Sequence, residues 1–237
     1  MDDLKGPALL ELLTAADHRL VRTVDSLPVG AYAEPSGLPG WTRGHVVAHL
    51  ALNAEALTAV LLGIAQGDVP PMYESQERRD ADIDELAAAD PAELRARLMG
   101  STTGLVDAIG LVPDDRLHVM VERTRGSDRT FPAHTVTGMR LREVEIHHAD
   151  LAADYTPTDW PLDVAMFLVA SLVDRPAEDG SFAVAPTEIG VTWQGGPSSA
   201  GRVVSGTAAD LGWWLTGRGN GRGLTSSDGT LPRMEAW

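Results

Sequence analysis

The stretch from Gly40 to Ile64, GWTRGHVVAHLALNAEALTAVLLGI, leaves the chain few ways to fold. Thr42 is a suitable N-cap, and beyond it apolar residues surround nearly the whole of the helix. A helix that is apolar all round has to be central, wrapped by other elements. Its few polar residues then stand out. His45, His49 and Asn53 follow at i, i+4 and i+8 and form one polar stripe. Burying a polar side chain without a partner costs roughly 2–7 kcal/mol, depending on the reference state. His49 therefore needs a partner in the core, either as a hydrogen-bonded structural histidine or as part of a site.

The helices that wrap this one are legible from period and caps. Residues 4–25 place Leu9, Leu12, Leu13, Leu20 and Val24 at helical spacing, with Pro7 in the first turn and His18 as a half-buried or surface residue. Residues 26–40 are a Pro/Gly-containing loop. A loop to about Asp80 and an acidic stretch follow Gly67. Asp90, Pro91 and Glu93 then open a helix with an apolar face of Leu94, Leu98, Leu105 and Ile109, ended by Pro113. Alternation at Leu117, Val119 and Val121 predicts an extended segment with a turn at Gly126. Its arginines, Arg116, Arg123, Arg125 and Arg129, read as a solvated loop or as contacts to an anion. Pro132 to Asp154 is a helix with Val136, Met139, Val144, Leu151 and Ala152 on its buried side and Leu141 and Ile146 near the edges. A fifth helix follows, with Asp159 as cap and Pro161 in the first turn.

After Pro176 the period changes. SFAVAP, TEIGVTWQGG and GRVVSG have strand character, and Thr207 caps a short helix, TAADLGWWLTGR. The expected fold is α+β: an up-down helical bundle over 1–175 and a smaller C-terminal α/β domain over 176–237.

Composition narrows the chemistry. The chain has 34 acidic and 19 basic residues, a net charge of -15, which argues against broad nucleic-acid binding. It has no cysteine, so a metal site must use histidine and carboxylate, and any thiol must come from outside. Lys5 is the sole lysine, which disfavours Schiff-base chemistry. The N-terminal MDDLKGPALLELL lacks a basic n-region, and no run of about 18 apolar residues predicts a membrane span. Cytoplasmic residence is the default expectation.

Imidazole and carboxylate are both zinc ligands. On a helix, only i,i+3 and i,i+4 partners reach a common point. In PAHTVTGMRLREVEIHHADLAAD that rule admits Glu143 with His147, Glu145 with His148, Arg140 with Glu143, and His147 with Asp150. One ExxxH pair is also a common surface feature. If this helix packs beside the apolar one, His49, Glu143 and His147 form a three-ligand facial site with positions left for water or substrate. His45, Asn53 and Asp150 would then orient imidazoles or line the cavity. Asn53, Arg140 and Asp150 are the candidates for contact with a cofactor. No HExxH or GxSxG is present, and GRGNGRG at 217–223 does not open a βαβ helix. That loop could present Arg218 or Arg222 to a carboxylate.

GWTRGHVVAHL, MRLREVEIHHADL and WWLTGR, in that order, make the chain resemble the mycothiol-dependent maleylpyruvate isomerase family, whose N-terminal part is a DinB-like metal-binding bundle. The resemblance implies a divalent metal, normally Zn2+, on His49, Glu143 and His147. It selects His147 over His148 because the family's ligand stands three residues before the Asp-Leu pair, here Asp150 and Leu151. It implies a catalytic arginine at Arg218, with Arg222 as the second placement. It further implies that mycothiol supplies the thiol, which adds reversibly to the cis double bond of maleylpyruvate to give fumarylpyruvate in gentisate degradation. The implied partners are a small anionic substrate and a low-molecular-weight thiol, with no nucleic acid or membrane, in a monomer or homodimer. A mycothiol-dependent S-transferase acting on another electrophile, or a non-catalytic metal-binding module, would carry the same motifs.

Overall fold

The computed structural model describes residues 6–178, 180–195 and 201–235. The expected helix start at residue 4 and the last two residues of the tail lie outside them. The chain divides into two compact units, Met1–Tyr155 and Thr156–Trp237. The division falls well before the 175/176 boundary expected from the change of period. The reason is α6 (Leu162–Leu172), which packs on α7 (Ala208–Leu215) of the second unit. A helix period says that α6 is a helix; it does not say which core receives it.

The first unit is a bundle of α1 (Pro7–Ser26), α2 (Arg43–Gln66), α4 (Pro91–Leu111) and α5 (Val136–Asp150). In it α2 packs chiefly against α4, and α1 against α5, while α2 also touches α5. The caps form as expected: Thr42 Oγ1 accepts from the His45 amide, and Asp90 Oδ1 from the Ala92 amide at 2.7 Å. α2 is long and apolar enough to cross a membrane by length and composition, yet 61% of that window is buried, as in a core helix. Val46, Val47, Leu50, Leu57, Leu61 and Ile64 are completely buried in it.

The segment between α2 and α4 holds an unexpected helix, α3 (Gln76–Ala87). Ser75 caps it at the Arg78 amide, and Arg78–Asp82 and Gln76–Asp80 pair at i,i+4. Only Ile83 and Leu86 of α3 are buried, so it carries too little apolar pattern to be seen by period. The extended segment is a hairpin of β1 (Met120–Glu122) and β2 (Thr130–Pro132).

α5 has no solvent face of the expected kind. Leu141 and Ile146 are as fully buried as Val136 and Val144, and so are the polar Arg140 and Glu145. Ala152, expected on the buried side, is exposed beyond the helix end in a left-handed conformation with φ 50.

In the second unit a four-stranded sheet runs β4-β3-β5-β6, with β3 (Phe182–Pro186) parallel to β5 (Val203–Gly206) and the outer pairs antiparallel. β4 spans Trp193–Gly195 and β6 spans Thr225–Ser226. Thr207 caps α7 at the Asp210 amide, 3.0 Å, as the sequence predicts. Asp159 does not cap α6: it bonds the Thr156 amide and hydroxyl in the turn before it, and Pro161 takes the cap position.

Candidate metal centre

His49 and Asn53 lie one helical turn apart on the stripe of α2, and Glu143 and His147 one turn apart on α5. The two helices are locked at one end. Arg43, at the start of α2, donates from Nε to the Leu151 carbonyl and from Nη2 to that of Ala152, both at 2.8 Å. The Gly37 amide donates to the Asp150 carbonyl at 2.7 Å. These bonds satisfy carbonyls at the end of α5 that the helix itself leaves open.

The lock brings three side chains together. Glu143 Oε2 lies 2.9 Å from His49 Nε2 and 3.3 Å from His147 Nε2. All three ligand atoms fall within 4.8 Å of one another, and the imidazoles meet edge to face at 4.7 Å and 87°. Both histidines are buried, while the Glu143 side chain keeps 18% exposure, so the cluster is reached from the carboxylate side. Two imidazoles and one carboxylate are a donor set that zinc accepts, with coordination positions left over. The residues fit a divalent ion.

Electrostatics agree with a compact ion site. Burial pushes the His49 imidazole down to about 4, outweighing its bond to Glu143. Burial opposes charge on Glu143 too, but hydrogen bonds from His147 and His49 hold it well below the usual carboxylate range. For His147 burial also favours the neutral form, and the bonds to Asp150 and Glu143 overcome it, raising its pKa. Asp150 is the stronger orienter: its buried Oδ2 accepts from His147 Nδ1 at 2.9 Å, leaving Nε2 aimed at the cluster.

His148 takes no part. Its Nε2 pairs with Thr23 Oγ1 at 2.8 Å and its ring stacks on Tyr155 at 3.7 Å, on the α1 side of the helix. Glu145 is spent on the same side, bonded by Arg19 and by the Tyr155 hydroxyl. His45 is spent as well, closing a capping box with Thr42, so it does not orient His49. Arg140, expected as a cofactor contact, sits inside the bundle. It is completely buried and donates from Nη1 to the Leu50 carbonyl at 2.8 Å and to Asn53 Oδ1 at 2.9 Å, with Asp17 3.7 Å away. It braces α2. Asn53, 3% exposed, is spent as the acceptor in that brace.

Two neighbours escaped sequence reasoning. Arg79, on α3, sets Nη2 3.2 Å from His49 Nδ1, and its guanidinium lies 5.6 Å from the Tyr73 ring centre. Both line a cavity of about 790 Å³ beside α2. Ser75 and the i,i+4 pairs of α3 were the available signal for that helix; nothing local marks Arg79 as facing a histidine.

Arg218 and Arg222 stand in the second unit, where both line a cavity of about 340 Å³ with Trp213 and Asp210. The Arg218 guanidinium lies 5.8 Å from the Trp213 ring centre. Gly217, Gly219, Gly221 and Gly223 around them all have positive φ, and a Cβ at Gly223 would meet Asp210 Oδ2 at 2.6 Å.

Residues 13–152 match the family model described as the mycothiol maleylpyruvate isomerase N-terminal domain. The uncharacterized protein Rv0036c of Mycobacterium tuberculosis strain H37Rv is 30% identical over 239 residues, covering 94% of this chain and 88% of the relative. A crystal structure of the mycothiol-dependent maleylpyruvate isomerase superposes with a TM-score of 0.85 at 30% identity, covering 98% of this chain and 96% of that one. A mutant of that enzyme superposes with a TM-score of 0.84.

Proposed function

We propose, from the premise that the chain belongs to the mycothiol maleylpyruvate isomerase family, that it is a mycothiol-dependent, metal-assisted cis-trans isomerase converting maleylpyruvate to fumarylpyruvate. The observation that carries the reading is the convergence of His49, Glu143 and His147 in a protein without cysteine. These three residues would hold zinc or another divalent ion. Bound there, the ion supplies charge that lowers a thiol's pKa, and mycothiol supplies the sulfur for reversible addition to the double bond.

The protein's own residues do the rest. Asp150 keeps the hydrogen of His147 on Nδ1, so that Nε2 presents its lone pair. Trp41 lies edge-on to His49, with ring centres 5.7 Å apart, and shields that imidazole. In the reading, Arg218 binds a carboxylate of the substrate and offsets enolate charge, with Arg222 as the alternative donor. Residence in the cytoplasm goes with this chemistry, because low-molecular-weight thiols are kept reduced there.

The test is isomerisation of maleylpyruvate with and without mycothiol, by wild type, H49A and protein treated with a chelator. Activity should need the thiol, fall with metal content and vanish in H49A. Turnover without thiol, or turnover indifferent to metal content, would overturn the reading.

A further inference from the structure

We propose that Arg79 gates metal loading: its guanidinium has to leave His49 Nδ1 before His49 can ligate through Nε2. The inference rests on the metal-site reading above and deepens it.

The argument is one of donors and acceptors. Arg79 Nη2 lies 3.2 Å from His49 Nδ1. A guanidinium has donors only, so Nδ1 must accept. The same contact excludes a hydrogen on Nδ1, so the one ring hydrogen sits on Nε2. There it points at Glu143 Oε2, 2.9 Å away, which accepts it. A ligating imidazole has the opposite pattern, with a lone pair toward the metal and its hydrogen on the far nitrogen, held by an acceptor. His147 has such an acceptor in place: its Nδ1 donates to Asp150 at 2.9 Å while Nε2 faces the cluster. The two imidazoles are therefore not equivalent. Behind His147 stands an acceptor, as a ligating imidazole needs, and behind His49 a donor.

Ligation by His49 Nε2 requires the hydrogen to move to Nδ1. It would then confront an arginine N–H at hydrogen-bond distance, so Arg79 must withdraw. It has somewhere to go. Its Nη1 already donates to Asp80 at 2.8 Å, its Nε makes no hydrogen bond, and it lines the cavity of about 790 Å³ shared with Tyr73. The loaded protein would then present the charge of Arg79 to that cavity.

The test is zinc affinity of chelator-stripped protein by competition titration, in wild type, R79M, R79Q, R79K, R78M and H49A. Changes to groups behind a metal ligand typically move affinity by about 10–100-fold, and here the sign is a gain. R79M should bind zinc about tenfold tighter, and R79Q at least as tightly, because its amide oxygen can accept from Nδ1. R79K keeps a donor and should stay near wild type. R78M removes the same charge from the same cavity without touching His49, and so reports the bare charge effect. Long-range proton–nitrogen spectra of stripped wild type should show His49 Nδ1 without hydrogen. R79M binding no tighter than R78M, or a hydrogen on Nδ1 in wild type, overturns the gate. If R79M binds more weakly, Arg79 supports the ligand form, and the proposal is wrong in sign. Zinc bound in wild type and lost in H49A, with R79M unchanged, leaves the metal reading standing and removes the gate. No zinc in any variant removes both.

Discussion

Replacing Asp150 by asparagine tests whether the hydrogen bond behind His147 sets metal affinity. Asp150 is 2% exposed, and its Oδ2 accepts from His147 Nδ1 at 2.9 Å. D150N keeps the volume and one acceptor oxygen, and it leaves the Asp150 backbone carbonyl on the Gly37 amide. Only the charge goes. Hydrogen bonds to charged groups are worth about 1.5–3 kcal/mol, against about 0.5–1.5 for neutral ones, a difference of about 1–1.5. At 1.4 kcal/mol per factor of ten, zinc should bind about tenfold more weakly. If the new amide turned its NH2 toward Nδ1, the ring hydrogen would move to Nε2 and the loss would be larger. Competition titration of stripped protein measures the effect, with thermal melting in parallel to separate it from unfolding. Zinc affinity in D150N within about twofold of wild type, with H147A unable to bind, would refute the orienting role.

Other expectations follow from particular contacts. H148F should keep zinc binding where H147A loses it, because His148 faces Thr23 and Tyr155; metal content of the purified variants decides. Gly63→Ala places a Cβ 2.5 Å from Pro70 Cδ, so overpacking of about 1–3 kcal/mol should exceed the helix-propensity gain of about 1 kcal/mol and lower the melting temperature. G100A, with nothing within 4 Å of the new Cβ, should show the gain alone. Stability of the stripped protein should depend on pH in two senses. His49 is pushed from 6.5 to about 4, so the unfolded chain binds its proton first and stability falls as pH drops through that window. Glu143, depressed in the fold, acts in the same direction at lower pH. His147 is raised, so its contribution is full below 6.5 and is lost as pH climbs through the folded value. Urea midpoints across pH 4–9 should pass through a maximum; a flat profile would contradict the site's electrostatics.

Much of the fold was legible because it is written locally. Thr42 and Asp90 cap the helices they were expected to cap, and the apolar girdle of α2 required a bundle around it. α3 was illegible because two buried side chains do not make a period, and α6 was assigned to the wrong unit because period carries no address. Arg140 lies inside the bundle for a related reason: α5 is enclosed on nearly every side, so polarity alone does not mark an outer face.

By itself the sequence determined that Glu143 and His147 share a turn of helix, since 3.6 residues per turn place i and i+4 on one face whatever surrounds them. It also determined that any thiol must be foreign. Only tertiary structure decided that His49, 94 residues before Glu143, meets that face, because the packing of α2 on α5 and the Arg43 lock belong to neither helix alone. The same packing sorted two adjacent histidines, turning His147 toward α2 and His148 toward α1. It also brought Arg79 in from a helix with no apolar period of its own, against the far side of His49. Local sequence sets directions within an element; which neighbour lies in each direction is set by long-range burial.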